Sequence, residues 1–194
     1  MMNKKDGDND NCSQKSGLVT DALFKARTIF IFDKMTQEHA KSIIEQLLAL
    51  SAVSDDEIKI FINSPGGHVE SGDSIYDIIK FIKPNVKVIG TGWVASIAAL
   101  IYLAAKKENR FCLPNTRFLL HQPSGGARGQ ASDLEIQARE IIKMRKRLNT
   151  IIANETSMDI TRVEKDTTRD YWMSAEEAKE YGMVGKIIKS IAEI

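Results

Sequence analysis

The sequence predicts an α/β fold on a parallel sheet. Three observations carry this: short β-branched runs alternate with segments of helical periodicity, the runs end at breaker clusters, and the spacers are long enough for crossover helices. The first apolar run is 29–32, Ile-Phe-Ile-Phe. At 37–50, Ala40, Ile43, Ile44, Leu47 and Leu48 then recur at helical spacing. A second strand at 58–62 ends in Asn63-Ser64-Pro65-Gly66-Gly67, which must be a loop. Ile75, Ile78, Ile79 and Ile82 share one face of a helix that Pro84-Asn85 ends. A third strand at 86–89 closes at Gly90-Thr91-Gly92, and the apolar stretch 93–105 predicts a buried helix near 95–105. Two short strands, near 110–113 and 117–121, flank the turn Pro114-Asn115. Residues 122–130 hold Pro123, Gly125, Gly126 and Gly129 and read as extended. A long helix follows at 131–155. Its Leu134, Ala138, Ile141, Arg145, Leu148 and Ile152 alternate spacings of four and three, a seam of the coiled-coil type that needs a surface on its own domain or on a partner. Ser174 as N-cap with Glu177 as its capping-box partner predicts a helix at 174–181, and Gly182 leads into a final strand near 183–189.

The chain has 194 residues, 27 Lys plus Arg against 26 Asp plus Glu, and a net charge of +1. That is one domain's worth of chain, read as 17–194, and enough to bury a core without staples. The charge balance argues against a nucleic-acid partner, which would need clustered unpaired cations, and permits self-association. The first 16 residues are polar and lack the apolar core of a secretory signal, so they read as a disordered tail or a propeptide. The apolar stretch 93–105 is too short for a membrane span, which takes about 20 residues. Cys12 and Cys112 form no paired motif and read as free thiols of a cytoplasmic protein. No His/Asp/Glu cluster has metal-ligand spacing.

Three features could carry chemistry. Ser96 follows a strand and a glycine bend and opens an apolar helix, where free N–H groups favour negative charge, so it suits a nucleophile that passes through an oxyanion. The commoner use of a serine there is as an N-cap, and the surrounding sequence is not the Gly-x-Ser-x-Gly elbow. His121 ends a strand, where α/β sheets gather functional groups; a structural hydrogen-bonded histidine is the bland alternative. Of the other histidines, His39 reads as solvated, while His68 could face a cleft or lie at the surface. Ser64-Pro65-Gly66-Gly67 exposes backbone N–H groups after a strand and could supply half of an oxyanion hole or be a plain turn. An acid to orient the histidine could be Asp133, Asp159, Asp166 or Asp170, among which spacing does not choose.

Taken in order, Asn63-Ser64-Pro65-Gly66-Gly67, Gly92-Trp93-Val94-Ala95-Ser96, Leu120-His121-Gln122-Pro123, Gly126-Ala127-Arg128-Gly129-Gln130-Ala131 and Ser174-Ala175-Glu176-Glu177-Ala178 through Tyr181-Gly182 resemble the proteolytic subunits of the Clp protease, the ClpP family. The resemblance runs from about Leu23 to Ile188. It implies a ClpP/crotonase-like fold of repeated β-β-α units with a protruding handle at about 122–156. It also implies Ser96 as nucleophile, His121 as general base, Asp170 as the orienting acid, and the N–H groups of Gly67 and Ile97 as the oxyanion hole. The implied enzyme is a serine endopeptidase cutting unfolded polypeptides inside two stacked heptameric rings. An AAA+ unfoldase of the ClpX, ClpA or ClpC type would feed it and hydrolyse the ATP. The subunit itself would bind no cofactor, no nucleic acid and no membrane.

Departures from the family pattern are also visible. Lys59 stands where many members carry an aromatic residue in the apical pocket for the unfoldase, and burying a lysine there would be costly. Thr168 stands where an acid beside Arg169 usually pairs across the rings. The segment before Leu23 lacks the usual axial-loop sequence, and Ile97 replaces a common Met. These suggest a divergent paralogue that pairs with a second ClpP. The alternatives are a ring partner active only in mixed complexes, or a crotonase-type acyl-CoA enzyme on the same fold.

Overall fold

A computed structural model of the chain describes residues 17–126 and 128–194. The expected tail at 1–16, with Cys12, and Ala127 of the glycine-rich stretch lie outside the described residues. Residues 17–25 are helical (α1), an element the sequence did not announce. Next come β1 (Thr28–Ile31), α2 (Gln37–Val53), β2 (Ile58–Ser64), α3 (Val69–Phe81), β3 (Val86–Ala95), α4 (Ile97–Leu103), β4 (Arg110–Cys112) and β5 (Arg117–Leu120). The chain continues through α5 (Ala131–Thr156), α6 (Ile160–Asp166), β6 (Tyr171–Met173), α7 (Ala175–Glu180) and β7 (Lys186–Ile187). The main sheet runs β1-β2-β3-β4-β7, each pair parallel. The α/β class with a parallel sheet is therefore as predicted.

The strands obey the alternation their side chains impose. Along β2, Ile58, Ile60, Ile62 and Ser64 are buried, while Lys59, Phe61 and Asn63 are half-buried. The buried face packs on α2, α3 and α4; Ile43, Leu47, Ile75, Ile79 and every residue of α4 belong to one core. The opposite face carries a smaller cluster, Ile89, Phe111 and Ile188 with Phe61, Leu113 and Ile194 packed against them, and leaves Phe30 and Phe32 in edge-to-face contact and about half exposed. Lys59 lies on this face, between Thr28 and Lys87 in register, and is only half-buried. The cost that full burial of a lysine here would carry is thus not incurred within the single chain.

Three predicted boundaries shift. β3 does not stop at Gly90-Thr91-Gly92 but runs on to Ala95; its first half pairs with β4 and its last residues, Trp93–Ala95, pair with β5. The apolar stretch 93–105 is thus strand, turn and a seven-residue helix, not one helix. The final strand shrinks to two residues. α6 and β6 are new: α6 is a short helix capped by Asp159, and β6 pairs antiparallel with β5. Trp93 stacks on Trp172 at 6.3 Å and Arg117 lies 4.3 Å over the Trp172 ring, so β3, β5 and β6 are also tied by their side chains. The capping box at Ser174 and Glu177 is present as read.

The seam of α5 divides between the two surfaces left open for it. Residues 131–140 are exposed throughout, whereas Leu148 and Ile152 are buried in the core. The helix therefore leaves the domain near Ile141, and only its last four turns are packed. Among the described residues no helix is long and apolar enough to cross a membrane.

Candidate active site

The carboxyl ends of β2, β3 and β5 converge. β3 delivers Ser96 in an unusual conformation, φ 57° and ψ −126°, in the turn that opens α4. A non-glycine residue there costs roughly 1–3 kcal/mol and persists only where its surroundings enforce it. Here they do: the Ser96 N–H donates to Leu119 O at 2.9 Å, and Ala99 N–H donates to Ser96 O at 3.0 Å. The Ser96 side chain makes no cap hydrogen bond, so the N-cap role is not the one it plays. A sharp strand-to-helix turn of this kind lifts the hydroxyl out of the backbone's own hydrogen bonding. Ile97 begins α4, so its N–H has no acceptor within the helix.

The loop after β2 closes against this turn. Ser64 Oγ donates to Asp33 O at 2.6 Å and accepts from Gly66 N–H at 3.2 Å. Met35 N–H donates to Gly66 O at 2.8 Å and His68 N–H to Met35 O at 2.9 Å, which pins Gly67 against Met35 while leaving its own N–H outside both bonds. Gly66 and Gly67 have φ of 85° and 147°. A methyl on Gly66 would stand 2.7 Å from Ala95 O and from Ser96 Cβ, and one on Gly67 2.3 Å from Met35 O. Both glycines are thus required by conformation and by contact. Gly67→Ala is expected to lower thermal stability and to abolish labelling of Ser96 by a serine-reactive fluorophosphonate, as the loop backs away from Met35; a variant labelled at the native rate would show that the loop does not contribute.

β5 delivers His121. Its Nδ1 lies 2.9 Å from Asp170 Oδ1, so the Nδ1–H tautomer donates to the carboxylate and leaves Nε2 as an acceptor. Of the four candidate acids only Asp170 reaches it. Asp133 sits in the exposed first turn of α5, Asp159 caps α6 by accepting from Thr161 and Arg162 N–H, and Asp166 pairs with Arg162 at 2.7 Å. Ser96, His121, Gly67, Met35 and Ser124 line one cleft of about 670 Å³. His68 lines it too, but its ring nitrogens are engaged by Ser71 Oγ at 2.7 Å and Glu70 at 3.3 Å; His39 is away from it, on Lys34 O. Among the described residues Ser96 Oγ has no hydrogen-bond partner, and catalytic contacts in an unliganded site commonly tighten only with substrate. Neither the positive-φ turn at Ser96 nor the His121–Asp170 hydrogen bond was legible as a motif. Gly72 was a signal for the first: a glycine inside a helical pattern, it admits Ile97, whose Cγ1 would stand 2.1 Å from a Cβ there.

A hydroxyl on a strained turn and a histidine held by a carboxylate, at one cleft, form an arrangement suited to acyl transfer. The Clp protease family model matches residues 11–191. The chain is 62% identical over 195 residues, 100% of both chains, to the ATP-dependent Clp protease proteolytic subunit 3 of Rhizobium meliloti (strain 1021). It is 55% identical over 170 residues, 88% of this chain and 85% of the relative, to the ATP-dependent Clp protease proteolytic subunit 2 of Pseudomonas aeruginosa. Among solved structures, a ClpP1 mutant from Listeria monocytogenes matches with a TM-score of 0.84 and 53% identity, covering 90% of this chain and 98% of that one. The chain belongs to the Clp protease family and is, by that membership, a peptidase. The acyl-CoA alternative on the same fold finds no support in these likenesses.

Proposed function

We propose that this peptidase is a serine endopeptidase acting on unfolded polypeptide, with Ser96 as nucleophile, His121 as general base, Asp170 as the orienting acid, and Gly67 and Ile97 N–H as the oxyanion hole. The observation that carries the reading is the 2.9 Å His121–Asp170 hydrogen bond at the cleft where Ser96 stands on its strained turn. The bond places the proton on Nδ1, so Nε2 is free to take the proton from Ser96 Oγ as Oγ attacks the peptide carbonyl. The tetrahedral oxyanion would be met by the two N–H groups, and the imidazolium would then protonate the leaving amine. Water hydrolyses the resulting acyl-enzyme with His121 again as base.

The assembly proposed is two stacked heptameric rings, built of this chain alone or with a second ClpP. An AAA+ unfoldase supplies ATP hydrolysis, and the subunit itself needs no cofactor. The site of action would be the cytoplasm. The exposed first half of α5 and the half-exposed Phe30 and Phe32 are the surfaces such contacts would use. That Ser96 Oγ has no hydrogen-bond partner among the described residues favours one further reading: that the serine–histidine contact is completed only on assembly. The purified chain, treated with a fluorophosphonate probe and digested, is expected to carry the label on Ser96, with a native mass of fourteen subunits under the same conditions. Labelling only after a second ClpP is added would support the mixed-ring form; labelling elsewhere would overturn the triad.

A further inference from the structure

The loop that carries Asp170 is gripped from two sides. On one side is the segment after β5. Next to His121, Gln122 N–H donates to Thr167 O at 2.6 Å and Gln122 Nε2 donates to Thr168 O at 2.9 Å. On the other side is α5. Thr167 is 1% exposed; its Oγ1 lies 3.0 Å from Asn149 Oδ1 and 2.9 Å from Val163 O. One hydroxyl proton serves one acceptor at a time, and turning the Asn149 amide over lets the amide donate to Oγ1 while Oγ1 donates to Val163 O. One turn before Asn149, Arg145 Nη2 lies 3.3 Å from Thr168 Oγ1 and 3.4 Å from Glu164 O, and Thr168 Oγ1 donates to Glu164 O at 2.8 Å.

These contacts account for two oddities of the sequence. Arg145 interrupts an otherwise apolar seam because at that level α5 faces the end of α6 rather than the core. Thr168, which stands where the family resemblance places an acid, spends its hydroxyl inside its own chain. Asn149 is buried in a helix whose other buried positions are mostly apolar, and its partner is the residue three before Asp170.

We propose that Asn149 and Arg145, acting through Thr167 and Thr168, are positioning residues for Asp170, so that the packed half of the long helix sets the orientation of the carboxylate on His121. The proposal rests on the Ser96, His121 and Asp170 assignment. Displacing a catalytic group by about an ångström can cost on the order of a hundredfold. An acid loop held at four points outside the triad resists that displacement, and the contacts from α5 are those furthest from the chemistry.

The test uses the full assembled chain, a short fluorogenic peptide, and kcat expressed per fluorophosphonate-titrated site, so that loss of folded protein does not count as loss of rate. Thr167→Val removes the hydroxyl at constant shape and Thr167→Ser keeps it; Arg145→Gln changes a partly exposed residue that the core does not need. Thr167→Val is expected to lower kcat by about tenfold to a hundredfold with KM within about twofold, with Thr167→Ser close to the native rate and Arg145→Gln lower by about threefold. Asp170→Ala is the reference. Native kcat in both Thr167→Val and Arg145→Gln, with Asp170→Ala inactive, overturns the positioning proposal and leaves the triad standing. An active Asp170→Ala overturns the triad and the proposal with it. Should Thr167→Val fail to assemble, Arg145→Gln decides: reduced kcat at an unchanged melting temperature supports the proposal, and native kcat overturns it.

Discussion

Replacing Ser96 with alanine is expected to reduce peptide hydrolysis by roughly a millionfold, as loss of a serine nucleophile does in other triads, while assembly and fold survive. The structure adds a second expectation that separates chemistry from conformation. Ser96 holds φ 57° and ψ −126° whatever its side chain does, and an alanine Cβ meets the same crowding. A glycine does not, so Ser96→Gly should be equally inactive yet more stable than Ser96→Ala by about 1 kcal/mol, which for a domain of this size is about 2–4 °C in melting temperature. Hydrolysis rates and thermal melts of the two variants check both statements. Residual hydrolysis in Ser96→Ala would remove Ser96 from the nucleophile role. A glycine variant no more stable than the alanine one would show that the turn is not strained, and that Gly66, whose added Cβ would stand 2.7 Å from Ser96 Cβ, is not what holds it.

Much of the scaffold was legible because burial enforces periodicity. Ile58, Ile60 and Ile62 alternate because only one face of β2 meets a core, and Ile75 and Ile79 repeat because α3 lies flat on it. The misread boundaries lie where two elements share one apolar run. Between Gly92 and Ser96 nothing in residue type shows that the strand continues past Gly90-Thr91-Gly92, since the turn into the helix is made by a serine at positive φ rather than by those glycines. α6 and β6 were missed because they are short: about two turns, and three residues, leave too few positions for a period to show. At the site, Ser96 and His121 could be picked from their places at strand ends, but Asp170 could not be told from three other aspartates without the family resemblance. The choice is made by β6 pairing antiparallel with β5, which sets Tyr171 opposite Leu120 and so brings residue 170 beside residue 121. That pairing is non-local, and no local pattern encodes it.

Arg110→Met is expected to destabilise the fold by about 3–5 kcal/mol, because the Leu103, Ala105 and Glu155 carbonyls and the Glu155 carboxylate lose a charged donor at once. Arg110 is 1% exposed at the start of β4. Its Nε donates to Ala105 O at 2.7 Å, its Nη2 to Leu103 O at 2.8 Å, and its Nη1 to Glu155 O at 2.7 Å; Nη2 also pairs with the Glu155 carboxylate. One guanidinium therefore satisfies the last carbonyls of α4 and of α5, the helix behind Ser96 and the helix behind Asp170. Glu155 also accepts from Tyr76 OH at 2.9 Å and from Lys80. Burial pushes the Glu155 carboxyl up, but the hydrogen bonds from Lys80 and Tyr76 and the charges of Lys80 and Arg110 outweigh it, so the group lies below its ordinary 4.5. A depressed carboxylate contributes stability that is complete above the unfolded value and lost as pH falls through the folded one. In Glu155→Gln the stability deficit against the native chain should therefore be constant above about 4.5 and close progressively at lower pH, measured by urea unfolding at a series of pH values. A deficit that stays constant as the pH drops below that value would mean that Glu155 acts through shape alone, and that the ionic node does not anchor the base of the long helix.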